Sequence, residues 1–415
     1  MGNLRRSWLR RIWRPGGRGE EPTGSGLGEG VARWRANEKA MRIAFNSDIF
    51  LLQEHGGISR YFTQLAQALA ALGEEPRIFA PLHWNAYLDD LPPGLVDGRR
   101  LPTRRFGRLW PAYNRWSVKG KILRWGAEVL HETYFNGQKS TGVPTVLTIY
   151  DMIHELFPEQ FSPTDATSEL KKRAVEKADH VICISENTRR DLMALFGVPA
   201  AKISVIHLAC DPLPPVEPNH LDPRLPERPF LLFVGHRGRY KNFRRLLEAV
   251  GSTPVLRDEF DIVAFGGGPL APDELRTAIS LGIRPGHLRQ LGGDDLLLAT
   301  CYRQARAFVY PSLYEGFGLP PLEAMACRCP VVASNTSSMP EVIGAAASFF
   351  DPSDTASTAE AIMAVACDED RRSDLIAMGA ARVKQFSWSR CAEETLEVYV
   401  KVANQPGREP AVAGK

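Results

Sequence analysis

The chain has 415 residues, 44% hydrophobic and 24% charged, which suits two or three domains with sizeable cores. Disordered, collagen-like and disulfide-stapled chains have other compositions. The formal charge of +3 is uneven: residues 1–40 hold nine basic and four acidic residues, net +5, leaving −2 for the other 375. Overall charge therefore gives no basis for a nucleic-acid partner.

The leading segment, residues 1–40, differs from the rest. MGNLRRSWLRRIWRP suits a short basic amphipathic helix, and a Gly-, Glu- and Pro-rich run follows it. Three readings stand side by side: a membrane-surface contact on anionic lipid, a disordered extension, or a stretch upstream of a true start at Met41. Five arginines interrupt any apolar run there, so the segment does not read as a signal peptide. No stretch of about 18 apolar residues marks a spanning helix. The seven cysteines are scattered, without a C-x-x-C pair, which suits a reducing cytoplasm better than a disulfide framework or zinc site.

From Met41 onward, short β-branched runs alternate with amphipathic stretches. Strands are expected at 42–46, 77–80, 129–131, 145–149, 180–184 and 203–206. After a Pro-rich break they restart at 230–234, 261–265, 288–291, 307–310, 330–333 and 348–350. This alternation predicts α/β architecture: two Rossmann-like doubly wound domains, 41–212 and 229–385, facing a cleft. A linker at 213–228 joins them, and a closing helix at 386–403 returns to the first domain. Ligands bind beyond the carboxyl ends of such strands, so loops following strands are where chemistry belongs.

The most informative loop is YPSLYEGFGLPPLEAMACRCPVVAS, residues 310–334. Gly316 and Gly318 permit close backbone approach, and Pro320 and Pro321 open a helix. Main-chain N–H groups of Phe317, Gly318 and Leu319 at that helix start suit a phosphate. Glu315 and Glu323, spaced E-x7-E, flank it, and carboxylates beside a phosphate site suit sugar hydroxyls. In FVGHRGRYKNF, residues 233–243, Arg237, Arg239 and Lys241 form a candidate diphosphate clamp, with Arg237 preferred to Arg239. HGGISRYF, residues 55–62, places Gly56 and Gly57 before a helix, and Arg60 reaches either the cleft or the helix surface.

Together these segments resemble retaining glycosyltransferases of family 4, which have the GT-B architecture. The resemblance implies that Glu315 meets hydroxyls of the donor sugar and Glu323 the nucleotide ribose. It implies that Lys241 and an arginine hold the diphosphate, with Gly57 where donor and acceptor meet. The family often has His-Asp at the end of the strand before YDMIHELF; this chain has Tyr150-Asp151 instead. Asp151 carries over as a catalytic candidate. His154 either re-enters the site or caps local structure, and His131 is a further strand-end candidate that also suits a structural role.

The resemblance implies a cytoplasmic hexosyltransferase without a cofactor, the nucleotide-diphospho-sugar being a substrate. The IYDMIHELFP and YKNF variants resemble bacterial polysaccharide mannosyltransferases, so GDP-mannose is the first expected donor and a UDP-sugar the rival. The expected acceptor is a lipid-linked or cell-surface glycan, with peripheral contact at the inner membrane face. A nucleotide-sugar-binding scaffold that no longer transfers is the alternative. The single D-x-D match, Asp368-Glu369-Asp370, reads as a solvated turn, so metal independence is expected.

Overall fold

The computed structural model describes residues 39–101, 110–135, 141–217 and 222–405. The proposed extension, residues 1–40, lies outside them except for its last two residues. The first domain holds a seven-stranded sheet: β1 (Arg42–Phe45), β2 (Glu75–His83), β3 (Val96–Arg100), β4 (Val129–Glu132), β5 (Thr145–Ile149), β6 (His180–Cys183) and β7 (Ile203–Val205). The second holds six: β8 (Phe230–Val234), β9 (Asp261–Phe265), β10 (Leu288–Leu291), β11 (Ala307–Tyr310), β12 (Val331–Ser334) and β13 (Ala347–Phe350).

Spatial order is β3-β2-β1-β4-β5-β6-β7 in one sheet and β10-β9-β8-β11-β12-β13 in the other. Every pairing is parallel. Strands β5, β6, β9, β11 and β12 are buried throughout, as parallel strands covered on both faces must be. Strand order reverses between β1 and β4 and between β8 and β11, and these two switch points define where a ligand crevice forms.

Strand β3 is absent from the sequence expectation. VDGRR has little β-branched character and is mostly exposed at the sheet edge. A Cβ at Gly98 would stand 1.7 Å from the Ala80 carbonyl oxygen, so glycine is required where β2 bulges.

Among the helices covering the two sheets are α1 (Gly57–Ala71), α2 (Trp110–Trp125), α3 (Thr167–Lys177), α4 (Glu186–Phe196), α5 (Phe243–Ser252), α6 (Leu319–Ala326) and α7 (Trp388–Ala403). Each domain has its own core. Leu147, Val175, Val181 and Leu192 pack in one part of the first. Leu231, Leu246, Ile262, Val309 and Ile362 pack in the second. Helix α7 begins at the Ser387 cap and buries Cys391, Leu396 and Tyr399 against the first domain. The two chain crossings lie side by side: Cys210 N donates to the Phe386 carbonyl (3.2 Å) and Trp388 Nε1 to Asp211 Oδ1 (2.6 Å). Among the described residues, no helix is long and apolar enough to cross a membrane.

Candidate active site

The loop after β11 runs into α6 through Gly318, whose φ of 106° lies in the left-handed region that glycine adopts without strain. Pro320 and Pro321 follow within the first turn, where a missing N–H costs nothing. Phe317 and Leu319 flank this cap. Gly316 has a different reason to be glycine. A Cβ there would lie 1.7 Å from the Tyr150 carbonyl oxygen and 3.0 Å from Asp151 Cβ. The E-x7-E loop therefore touches the strand-end loop of the other domain, backbone to backbone.

Ser185 seals that contact: its hydroxyl caps α4 by accepting from Thr188 N (3.0 Å) and donates to the Gly316 carbonyl (2.7 Å). A second clasp lies beside it. Glu341 accepts from the first backbone amides of α4, Glu186 N at 2.8 Å and Asn187 N at 3.3 Å, and stands 2.8 Å from His207 Nε2. A carboxylate from one domain thus caps a helix of the other. Tyr314 adds a third link, donating to Asp191 Oδ2 at 2.6 Å.

Glu315 is buried, and its Oε1 lies 2.7 Å from Lys241 Nζ. Lys241 ends a tight turn in which Arg239 (φ 60°) and Asn242 (φ 56°) both take left-handed conformations. Such conformations persist only where surrounding bonds hold them. Here Asn242 donates to the carbonyls of Pro311 (3.1 Å) and Pro352 (3.0 Å), and Leu313 N donates to the Tyr240 carbonyl (2.7 Å). The lysine loop and the glutamate loop are therefore fastened together. Burial pushes the Tyr310 phenol well above its ordinary range, and the neighbouring Glu315 carboxylate adds to this.

Two recesses flank the pair. One, about 350 Å³, is lined by Gly56, Gly57, Arg60, Asp211, Leu319 and Glu323. Burial raises the Glu323 carboxyl above its usual range, while the Tyr302 hydroxyl donates to it at 3.2 Å. Arg60 reaches the cleft rather than lying along the helix: it pairs with Asp211 at 2.9 Å. The other recess, about 990 Å³, is lined by Asp151, His154 and Phe161 of the first domain and by Arg237, Tyr240 and Lys241 of the second.

Asp151 sits at the seam. Its Oδ1 accepts from Ile153 N (3.1 Å), and its carbonyl accepts from Lys171 Nζ (2.9 Å). Lys171, on α3, is almost wholly buried and pairs with Glu155 at 2.8 Å. His154 joins the wall of the larger recess, its ring stacked on Phe161 at 3.9 Å and its Nε2 3.8 Å from Asp165 Oδ2. His131 does not reach the cleft. It is fully buried between Tyr399 (Nδ1, 2.6 Å) and Thr148 (Nε2, 2.9 Å), and burial lowers its pKa to about 3.

Arg237 is placed differently from an open phosphate clamp. Its Nε donates to Glu274 (2.9 Å), and its two Nη atoms donate to the carbonyls of Gly266 (2.9 Å) and Pro269 (2.7 Å). It braces the turn Gly266–Gly268, where all three glycines have positive φ. Lys241 is thus the more available cation. The D-x-D match is structural: Asp368 caps a helix through Arg371 N (2.9 Å), and Glu369 pairs with Arg306 and Arg372.

Sequence reasoning missed Lys171, Glu155, Ser185 and the cross-domain role of Glu341. Lys171 shares the apolar face of TSELKKRAVEK with Ala174 and Val175, but a lysine at such a position ordinarily reaches out to solvent, so its type does not mark it as buried.

Two parallel-sheet domains facing a cleft, with E-x7-E on the loop after one central strand, define the GT-B class of glycosyltransferases. Residues 220–382 match the family described as glycosyl transferases group 1, and residues 55–212 match glycosyltransferase family 4. The O-antigen chain mannosyltransferase B of Escherichia coli is 31% identical over 369 residues, 83% of this chain and 95% of that protein. The α-maltose-1-phosphate synthase of Mycolicibacterium smegmatis is 30% identical over 292 residues, 63% of this chain and 74% of that one. The structure of Anabaena Alr3699/HepE with UDP and glucose superposes with a TM-score of 0.65 at 17% identity, covering 87% of this chain and all of that one. This chain belongs to glycosyltransferase family 4, and it is a hexosyltransferase.

Proposed function

We propose that the protein transfers mannose from GDP-mannose to a lipid-linked or cell-surface glycan, with retention at the anomeric carbon and without a metal. The observation that carries this reading is the Lys241–Glu315 pair beside the start of α6, with Glu323 in the adjoining recess. The nucleotide lies on the Glu323 side and the sugar at Glu315. As the C1–O bond to the diphosphate breaks, the acceptor oxygen bonds to C1 from the same face. The acceptor proton passes to the departing phosphate oxygen. Lys241 and the N-terminal end of α6 stabilise the charge that develops on the leaving group. Clasps between the domains exclude water and limit donor hydrolysis.

Mannose is favoured by the similarity to the Escherichia coli mannosyltransferase. A UDP-sugar is the second reading, favoured by the fold likeness to HepE, which was solved with UDP and glucose. Calorimetry of the protein against GDP-mannose, UDP-glucose and other nucleotide sugars tests the donor. GDP-mannose is expected to bind most tightly, and preference for a UDP-sugar would replace the first reading with the second. Binding without turnover on any glycan acceptor would favour a scaffold that no longer transfers.

A further inference from the structure

The body of the chain is mildly acidic, yet one helix of the first domain carries a net charge of +4. Helix α2, WPAYNRWSVKGKILRW, carries Arg115, Lys119, Lys121 and Arg124 and no acidic residue. Its inner stripe, Trp110, Asn114, Val118 and Ile122, is buried at four-residue spacing. Val118 and Ile122 pack with Phe79 and Leu130 of the sheet. Asn114 grips the backbone of Leu82 twice, accepting from its N–H (3.1 Å) and donating to its carbonyl (2.8 Å). The helix is therefore fixed in rotation, and what lies on its other side is held outward.

That side holds Tyr113 and Trp116, 47% and 80% exposed, with ring centroids 6.4 Å apart. Trp116 is the most exposed large hydrophobic side chain among the described residues. Arg115, Lys119 and Arg124 are exposed alongside, while Lys121 is tied to Asp97 at 2.8 Å. Tyrosine and tryptophan settle at the headgroup level of a bilayer, and Lys and Arg near them are drawn to anionic lipid.

Position adds to this. Helix α2 follows β3, so in a parallel sheet its first turns stand at the carboxyl edge of the strands, as do the Asp151 and Gly57 loops. Leu82, which Asn114 holds, lies one residue before the end of β2.

We propose that the outward face of α2, centred on Trp116 and Tyr113, docks the protein on an anionic bilayer. The mode of contact is aromatic insertion at headgroup depth with Arg115 and Arg124 on lipid phosphates. The docking role of this face rests on the transferase reading only in its purpose, which is to bring a lipid-borne acceptor to the cleft edge.

The test is co-sedimentation of the full chain with vesicles of phosphatidylcholine alone and of phosphatidylcholine mixed with phosphatidylglycerol. The wild type is expected to partition onto the mixed vesicles and to be released by salt. Trp116→Ser with Tyr113→Ser, and separately Arg115→Glu with Arg124→Glu, are expected to lower that partitioning by about tenfold or more. Melting temperature and sugar transfer to a water-soluble acceptor should stay unchanged. Residues 1–40 are intact in every variant, so any lipid binding of their own remains as the residual.

Partitioning that is equal in wild type and variants, or absent in the wild type, overturns the proposal. So does a change confined to self-association on size exclusion, which would make the face a protein contact. If no nucleotide sugar is turned over but the variants still lose vesicle binding, the docking surface stands and the transferase reading falls.

Discussion

Lys241 Nζ lies 2.7 Å from Glu315 Oε1, and the two side chains come from loops that follow different strands of one sheet, β8 and β11. The lysine is held by a carboxylate where, on the proposed reading, a diphosphate will take its place. The glutamate is then released to meet the sugar. Removing the cation leaves Glu315 buried without its partner and leaves the developing phosphate charge without its nearest counter-ion. Lys241→Ala is expected to lower kcat by about 10²–10³-fold. Lys241→Arg should recover only part of it, because a planar fork does not replace a point charge in this turn. Steady-state transfer rates for the three proteins check this.

Gly316 tests the seam between the domains. Alanine there would drive a Cβ to within 1.7 Å of the Tyr150 carbonyl oxygen, so the two loops must part. Gly316→Ala is expected to reduce turnover by about 10²-fold, the scale of a displacement near 1 Å in a reacting pair. Melting temperature should change little, because each domain has its own core. Small-angle scattering should show a larger radius of gyration. A variant as compact and active as wild type would show that the contact does not govern closure.

Lys171 and Glu155 test how Asp151 is held. Breaking a buried pair by one substitution leaves a lone charge, so Lys171→Met should destabilise by about 3–5 kcal/mol. Adding Glu155→Met removes the second charge and should restore much of the stability. It does not restore the donor on the Asp151 carbonyl. The double variant is therefore expected to melt near wild type yet transfer sugar slowly. Thermal unfolding and kcat, measured on the same samples, separate the two effects.

His131 gives a pH prediction with a definite sign. Burial lowers its pKa from 6.5 to about 3, so the folded protein prefers the neutral ring. Its stabilising contribution is complete above pH 6.5 and is lost as pH falls toward about 3, where the unfolded chain binds the proton first. Replacing His131 with glutamine should make stability less steep across that acid range. The pH profile of turnover near neutrality should not change shape. A shared shift of both curves would mean that the ring takes part in catalysis.

Much of the fold was legible because a fully buried parallel strand has few disguises. TVLTI, DIVAF and AFVY each form a short apolar run, and each became a strand at the expected place. Strand β3 was hidden because VDGRR is an exposed edge strand whose glycine answers to a carbonyl on the next strand. Helix α2 was hidden because it has aromatic residues on both sides, which blurs the helical period. At the site, the elements on the loops were readable since Gly316, Gly318 and the two prolines constrain backbone directly. Side-chain partners distant in sequence were not: whether Arg237 faces a phosphate or the Gly266 turn depends on Glu274 and Pro269, some thirty residues away in the same domain. The displaced histidine illustrates the same limit, since His154 reaches the recess wall only through the helical turn that follows Asp151.

The most direct test of the account is transfer from anomerically defined, isotope-labelled GDP-mannose to a lipid-linked glycan acceptor, followed by NMR of the product linkage. The account predicts a product with the donor's anomeric configuration, formed with chelator present, and lost in both Lys241→Ala and Glu323→Ala. Inversion of configuration, or transfer that survives both substitutions, would contradict it.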